Sequence, residues 1–245
     1  MNTCKSIQHA LIMAAGRGNR MRPLTDIFPK AMLPFKEDTL IGNSLKMLRD
    51  CVLHIHVTVG YKRAMLSQYL METGVDSILN TEGHGNAWWI QNTLMNYLDE
   101  PVLVLTTDNV TELDIDFLNR EYIEADSPPC MLVPVKPIPM IEGDYIYHNK
   151  GVVLEIQRSL PKDIYCSGIQ VLNPARVSSM IKEINDFKDV WDNLILKHQL
   201  RVSSIYPKVW FSIDTLEQLV NFSKPENHLS PLGQVTANQI EKTQS

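Results

Sequence analysis

Residues 11–25 have the sequence LIMAAGRGNRMRPLT, in which an apolar segment runs directly into a loop rich in glycine and arginine. The apolar segment begins at Ile7 and ends at Met13, and this length and composition predict a buried β-strand. Gly16 and Gly18 let the loop backbone approach a ligand closely and present successive N–H groups to phosphate. The stretch therefore predicts a strand followed by a phosphate-binding loop.

Cationic side chains are concentrated in and after this loop, at Arg17, Arg20, Arg22 and Lys30. The formal net charge of the whole chain is −5, so an anionic ligand needs such a local cluster. Arginine makes forked contacts to phosphate oxygens, and lysine supplies a point charge. The alternative is an ordinary tight turn with solvated arginines. Neither the P-loop pattern nor the dinucleotide-binding pattern matches, since the loop lacks Gly-Lys-Ser/Thr and has Met21 in place of the third glycine.

Outside the loop, apolar strand patterns alternate with helical patterns in the first half of the chain, and short strands dominate much of the second half. This order predicts an α/β fold with a Rossmann-like, doubly wound mixed sheet and a small antiparallel extension. Ligands of such sheets bind at the carboxyl ends of the strands. We expect a catalytic domain over residues 1–222 and a polar tail over residues 223–245. The predicted strands are 7–13, 53–59, 75–79, 102–106, 130–136, 145–148, 152–157, 165–172 and 201–205. The predicted helices are 40–51, 62–72, 86–98, 175–185, 190–199 and 215–220.

Asp108 follows the predicted strand 102–106, so its carboxylate is expected in the ligand-binding crevice. Magnesium prefers one or two carboxylates together with substrate phosphates. A turn cap formed by Asp108 and Asn109 is the alternative.

Residues 11–25, together with Pro29-Lys30 and Leu33-Pro34, resemble the signature of the sugar-1-phosphate nucleotidyltransferase family. The chain also resembles, slightly less closely, the small bacterial phosphocholine and aminoethylphosphonate cytidylyltransferases. The similarity covers roughly residues 7–220. It implies that Arg20 contacts the phosphates of a nucleoside triphosphate and that Lys30 contacts the reacting phosphates. The loop residues implied to embrace the nucleotide are Ala14, Ala15, Gly16 and Gly18.

The same resemblance implies two metal ligands for Mg²⁺, Asp108 and Asp214, and places Asp108 at the nucleotide as well. Many sugar-1-phosphate enzymes have an acid where this chain has Ser212, whereas the similar cytidylyltransferases have an acid at the position of Asp214. Thr107 stands where the family usually has glycine. The alternative for Asp214 is an N-cap of the helix that follows it.

Four further residues complete the expected site. Asn86 matches the cytidylyltransferase pattern and could hydrogen-bond a base edge or a ribose. Arg158 and Gly168 stand where the family meets its acceptor, although Arg158 could equally be a solvated arginine at a strand end. Asp144 is an acceptor-site candidate without a family counterpart. We do not expect His84 to bind a metal, because no ligand-spaced partner is near it.

The resemblance implies an enzyme that condenses an NTP with a sugar 1-phosphate, giving an NDP-sugar and pyrophosphate. Two alternatives stay open: a cytidylyltransferase for phosphocholine or a similar phosphate or phosphonate, and a catalytically silent nucleotide-binding regulatory homologue. The expected partners are an NTP and a small phosphorylated acceptor. We expect no nucleic-acid partner, because the chain is acidic, and no membrane span, because no apolar run is long enough. The four cysteines lack metal-ligand spacing and are expected to be free thiols in the cytoplasm. The oligomeric state is left open.

Overall fold

The computed structural model describes residues 6–138 and 143–223. The predicted polar tail lies outside these residues, apart from Ser223. The domain boundary predicted at residue 222 stays a prediction.

The strands of the described residues are β1 His9–Met13, β2 Pro34–Phe35, β3 Asp38–Thr39, β4 His54–Val59, β5 Ser77–Asn80, β6 Val102–Thr106, β7 Asn109–Glu112, β8 Cys130–Val135, β9 Tyr145–Asn149, β10 Val152–Gln157, β11 Tyr165–Leu172, β12 Leu200–Val202 and β13 Val209–Ser212. Nine of them form a mixed sheet at the centre of the molecule, with the order β5-β4-β1-β6-β11-β8-β12-β10-β9. Strands β5, β4, β1 and β6 are parallel, and β11 then pairs antiparallel with both β6 and β8. The α/β class with a doubly wound mixed sheet is therefore confirmed.

Helices cover both faces of this sheet because successive strand residues point to opposite sides. The helices of the described residues are α1 Leu24–Ile27, α2 Leu40–Arg49, α3 Arg63–Thr73, α4 Trp89–Asn92, α5 Ile115–Glu124, α6 Pro174–Met180, α7 Phe187–Leu196 and α8 Leu216–Ser223. On β1, Ala10 and Ile12 join a core with α2, α3 and α5, whereas Leu11 joins a core with α4, α6 and α7. Short 3-10 helices span Asn19–Met21, Lys30–Met32 and Leu94–Tyr97.

Two predicted helices are wrong in length. The helix expected over 86–98 is only the single turn of α4, because Thr93 adopts an extended backbone and its side chain accepts a hydrogen bond from the Met95 amide. The helix expected over 175–185 ends at Met180, and Gln91 then fixes the extended segment through the carbonyl of Ile181 and the amide of Ile184.

Two small sheets complete the fold. Strands β2 and β3 form a hairpin after the first loop, and β13 pairs antiparallel with β7 directly after Asp108. Within the described residues, no helix has the length and apolar character required to cross a bilayer.

Candidate active site

A cavity of about 670 Å³ opens at the carboxyl ends of β1, β4, β5 and β6. This is the edge at which parallel sheets bind their ligands. The cavity is lined by residues of the first loop, by the end of β6 and by Asp214, which lies shortly after β13. Its lining residues are Met13, Ala14, Ala15, Gly16, Arg17, Gly18, Asn19, Arg20, Lys30, Thr58, Tyr61, Thr81, Glu82, Gly83, His84, Gly85, Asn86, Thr106, Thr107, Asp108 and Asp214.

The first loop follows the open edge of the sheet because its backbone is tied to neighbouring segments. The amide of Ala14 donates to the carbonyl of Thr58 at 3.1 Å, and the amide of Tyr61 donates to the carbonyl of Ala15 at 3.1 Å. Gly18 has a φ of 62°, which favours glycine, and its carbonyl accepts a hydrogen bond from Thr25 at 3.0 Å. These contacts hold Ala14, Ala15 and Gly18 in the cavity lining.

Lys30 lies between the two predicted metal ligands. Its ammonium group donates to Asp108 Oδ2 at 2.9 Å and to Asp214 Oδ1 at 2.8 Å. Arg20 Nη2 lies 3.1 Å from the same oxygen of Asp214. The Lys30 side chain is only 11% exposed, whereas the Arg20 side chain is 70% exposed at the mouth of the site. Two acids and two cations from four separate segments therefore meet at one point.

The small β7–β13 sheet brings the two acids together. Ser212 of β13 pairs with Asn109 of β7, and the amide of Ile213 donates to the carbonyl of Asp108 at 2.9 Å. Asp214 follows immediately, so the backbone pairing places its carboxylate beside that of Asp108.

Asp214 is held as a carboxylate by its neighbours. Burial by itself would raise its pKa, but the hydrogen bond and charge of Lys30, the hydroxyl of Ser212 and the charge of Arg20 together lower the pKa below the ordinary value. Ser212 Oγ lies 3.0 Å from Asp214 Oδ2, so the serine supports the acid. The alternative that Asp214 caps α8 is wrong, since the hydroxyl of Thr215 accepts the amide of Gln218 instead.

The predicted acceptor residues lie outside the cavity lining. Arg158 Nε contacts Asp144 Oδ1 at 2.6 Å, and the arginine side chain is 71% exposed, so the two candidates pair with each other. Gly168 lies behind the end of β6. The φ of Gly168 is 80°, and a Cβ atom added there would lie 2.7 Å from Asn109 Nδ2 and 3.2 Å from Thr106 Oγ1. Gly168 therefore packs against the strand end that carries Asp108.

Several site residues were not singled out from the sequence. Thr58 and Thr81 line the cavity at the ends of β4 and β5, and the rule that ligands bind at the carboxyl ends of strands could have identified both. Two adjacent tryptophans near the cavity have separate environments: Trp89 is fully buried, whereas the Trp88 ring stacks on His84 with centroids 3.9 Å apart.

The family model described as "Nucleotidyl transferase" matches residues 9–139, which is more than half of the chain. The chain belongs to the nucleotidyl transferase family. The bifunctional protein GlmU of Methanocaldococcus jannaschii is 31% identical over 47% of this chain and 29% of its own length. The mannose-1-phosphate guanyltransferase of Pichia angusta is 24% identical over 83% of this chain and 60% of its own length. This nucleotidyl transferase therefore spans less than two thirds of both curated relatives.

The solved structures of nucleotidyl transferases support the fold. The CTP:phosphocholine cytidylyltransferase of Streptococcus pneumoniae superposes with a TM-score of 0.68 at 20% identity, covering 88% of this chain and 97% of that one. The family expected from the first loop is confirmed.

Two acids of this nucleotidyl transferase, Asp108 and Asp214, could hold a magnesium ion. Among residues 6–138 and 143–223, no group of three histidine, cysteine, aspartate or glutamate side chains could hold a metal ion. Magnesium requires only one or two carboxylates when phosphates and water complete its shell. Asp108 and Asp214, with side chains 27% and 24% exposed, satisfy that requirement.

Proposed function

We propose that this protein condenses an NTP with a sugar 1-phosphate to give an NDP-sugar and pyrophosphate. The observation that carries the proposal is the meeting of Arg20, Lys30, Asp108 and Asp214 in one cavity next to a glycine-containing loop. These groups suit a reaction in which two polyanions, the NTP and the sugar 1-phosphate, must be aligned for in-line attack on the α-phosphorus.

The reaction needs positioning more than proton transfer. An oxygen of the acceptor phosphate attacks the α-phosphorus of the NTP, and the bond between that phosphorus and the β-phosphate oxygen breaks to release pyrophosphate. The second pKa of a phosphate monoester is about 6, so the attacking oxygen is already ionised at neutral pH. A general base is therefore unnecessary, and electrostatic stabilisation and alignment supply the rate.

Each cation has a separate task in this proposal. Lys30 is largely buried between the acids, from which its ammonium group can turn to the reacting phosphates. Arg20 is at the mouth, where its planar guanidinium can bind the departing pyrophosphate with two hydrogen bonds. Gly16 and Gly18 present backbone N–H groups to the triphosphate.

Asp108 and Asp214 would hold Mg²⁺ that arrives with the nucleotide. When bound, Mg²⁺ supplies charge neutralisation to the phosphates. The hydroxyl of Ser212 and the β7–β13 pairing keep the two carboxylates oriented toward the same point. The magnesium requirement is part of the proposal and is tested with it.

A sugar 1-phosphate is the preferred acceptor because the mannose-1-phosphate guanyltransferase similarity extends over 83% of the chain. A cytidylyltransferase for phosphocholine or a related phosphate is the second candidate. The single acid at Asp214 with Ser212 before it, and the amide of Asn86 at the cavity, favour that second candidate.

The cytoplasm is the proposed location. The described thiols Cys51, Cys130 and Cys166 are free, which suits a reducing compartment.

Product analysis with a matrix of substrates tests the proposal. Each of the four NTPs is incubated with sugar 1-phosphates, phosphocholine and 2-aminoethylphosphonate in Mg²⁺, and pyrophosphate and the nucleotide product are quantified by mass spectrometry. The proposal expects equimolar pyrophosphate and NDP-sugar from one NTP. Turnover only with CTP and phosphocholine or the phosphonate would replace it with the second candidate. NTP binding without turnover of any pair would identify a silent homologue.

A further inference from the structure

Residues 85–87, at the rim of the cavity, are held by residues 185–186, which come from the other half of the chain. The amide of Gly85 donates to Asn185 Oδ1 at 2.9 Å, and the amide of Ala87 donates to the carbonyl of Asn185 at 2.9 Å. Between them, the amide of Asn86 donates to Asp186 Oδ1 at 3.1 Å. We call these three hydrogen bonds the rim clasp. Three consecutive amides are thus satisfied by two adjacent residues.

The acceptors of the rim clasp are themselves fixed. Asp189 Oδ2, in the first turn of α7, accepts from the amide of Asn185 at 3.2 Å and from the amide of Asp186 at 2.9 Å. Close approach is also required on the rim side, because a Cβ atom on Gly85 would lie 2.4 Å from the carbonyl oxygen of Asn185. The rim clasp is therefore a closely packed contact whose acceptor residues are held by Asp189.

The side chain of Asn86 is oriented by the same loop. Its Oδ1 accepts a hydrogen bond from the amide of Phe187 at 2.8 Å, at the start of α7. A backbone N–H can only donate, so this contact requires the carbonyl end of the Asn86 amide to face Phe187. The Nδ2 group has no protein partner among the described residues, and Asn86 is exposed and lines the cavity. Because Oδ1 is bonded to Phe187, the Nδ2 group is the part of the Asn86 side chain that can donate to a ligand in the cavity.

We propose that Asn185 and Asp186 are positioning residues that fix the rim, so that the Asn86 amide donates a hydrogen bond to an acceptor oxygen of the nucleoside. This inference rests on the proposed function, since it assumes that the cavity holds the NTP. The acceptor oxygen belongs either to a base carbonyl or to a ribose hydroxyl. Loss of one such hydrogen bond corresponds to about a three- to tenfold loss of affinity.

Asn185→Ala tests the positioning role against a matched control. Gln91→Ala removes two hydrogen bonds that join the same segments away from the cavity, to the carbonyl of Ile181 at 2.7 Å and from the amide of Ile184 at 2.9 Å. We expect both variants to lower Tm, but only Asn185→Ala to raise the calorimetric Kd for the NTP, by about three- to tenfold. Equal Kd values for Asn185→Ala and the wild type would overturn the positioning role.

Asn86→Asp tests the donor without removing the contact to Phe187, because the carboxylate still accepts that amide. Inorganic tripolyphosphate, which has no nucleoside, reports the effect of the added charge alone. We expect the affinity for the NTP to fall by at least about threefold more than the affinity for tripolyphosphate. A loss that differs among the four NTPs assigns the oxygen to the base. An equal loss that disappears with 2′- or 3′-deoxy NTPs assigns it to the ribose. Equal losses for tripolyphosphate and every NTP would overturn the inference.

Both tests measure binding, so they are independent of turnover. If the wild type binds an NTP but forms no product, the proposed function fails while the rim clasp is still tested. If the wild type forms product and neither variant changes the Kd as expected, the rim inference fails alone.

Discussion

The amide of Ile213 donates a hydrogen bond to the carbonyl oxygen of Asp108 at 2.9 Å, and this contact sets the spacing of the two acids in the cavity. Asp214 follows Ile213 directly, so its carboxylate reaches the ammonium group of Lys30 together with that of Asp108. The alignment depends on backbone pairing, which tolerates changes of the side chains along β13. This explains how Ser212 can stand where many related enzymes have an acid while one acid still reaches the site.

Arg20→Ala should lower kcat by at least about 10²-fold, because the variant loses a charged donor at the departing pyrophosphate. Arg22→Ala is the matched control. Arg22 lies in the same loop but pairs with Asp26 at 3.3 Å, outside the cavity lining. Steady-state kinetics should show a large loss for the first variant and little change for the second. Similar kcat values for both variants would remove Arg20 from the proposed role.

Lys30→Met should change how stability depends on pH. In the wild type the pKa of Asp214 is lowered, so its contribution to stability is present above the ordinary pKa of about 3.8 and is lost below it. Without Lys30, burial raises that pKa, and the two acids repel each other at neutral pH. We expect Lys30→Met to be destabilised by about 2 kcal/mol at pH 7 and by less at pH 4.5.

Urea unfolding at the two pH values measures this difference. Lys46→Met is the control, since it removes the ion pair between the exposed Lys46 and Asp38, and such surface pairs contribute little to stability. A stability difference between wild type and Lys30→Met that grows toward pH 4.5 would contradict the assigned charge arrangement.

Gly168→Ala should disturb the end of β6 and with it Asp108. The added Cβ atom would lie 2.7 Å from Asn109 Nδ2, which donates to the carbonyl of Ser167. Gly74→Ala is a matched control, because its φ of 72° is similar and nothing lies within 4 Å of the added atom. Both should lose about 1 kcal/mol from backbone strain.

Only Gly168→Ala should also lose activity. Parallel measurements of Tm and kcat separate the two effects. Full activity of Gly168→Ala would show that the close approach does not position Asp108.

The strand-to-loop transition and a cavity at the carboxyl ends of the strands could be predicted from the sequence, because both depend on local periodicity and on the general behaviour of parallel sheets. The roles of Arg20 and Lys30 are implied by the family resemblance and stay predictions. The lengths of the helices near residues 93 and 181 could not be predicted, because contacts with distant side chains end them. The rim clasp depends on the same distant contacts, so Asn185 carries no local signal that would reveal it.

Three stacked histidines, His9, His54 and His56, lie near the amino ends of β1 and β4 and should make stability depend on pH. Burial and the neighbouring His9 lower the pKa of His56 from 6.5 to about 4, and His56 is only 9% exposed. Because the folded-state pKa is the lower one, this contribution to stability is complete above pH 6.5 and is lost as pH falls toward 4. The loss of unfolding free energy due to His56 should reach up to about 3 kcal/mol, and we expect this loss to be absent in His56→Gln.

Urea unfolding at pH 7.5 and pH 5.0 provides the measurement for His56. His54→Gln is the control, since the His54 side chain is 45% exposed and pairs with Asp76 at 3.1 Å. The wild type and His54→Gln should lose more stability between these pH values than His56→Gln. Equal losses in all three proteins would contradict the role of His56.

Steady-state kinetics of wild type and Asp108→Asn in Mg²⁺, with the NTP and acceptor that give the most pyrophosphate, test the metal-binding role proposed for Asp108. The substitution keeps the size of the side chain and removes its charge. We predict that kcat for pyrophosphate release falls by at least about 10²-fold while Tm changes little. Wild-type turnover by Asp108→Asn would contradict the account.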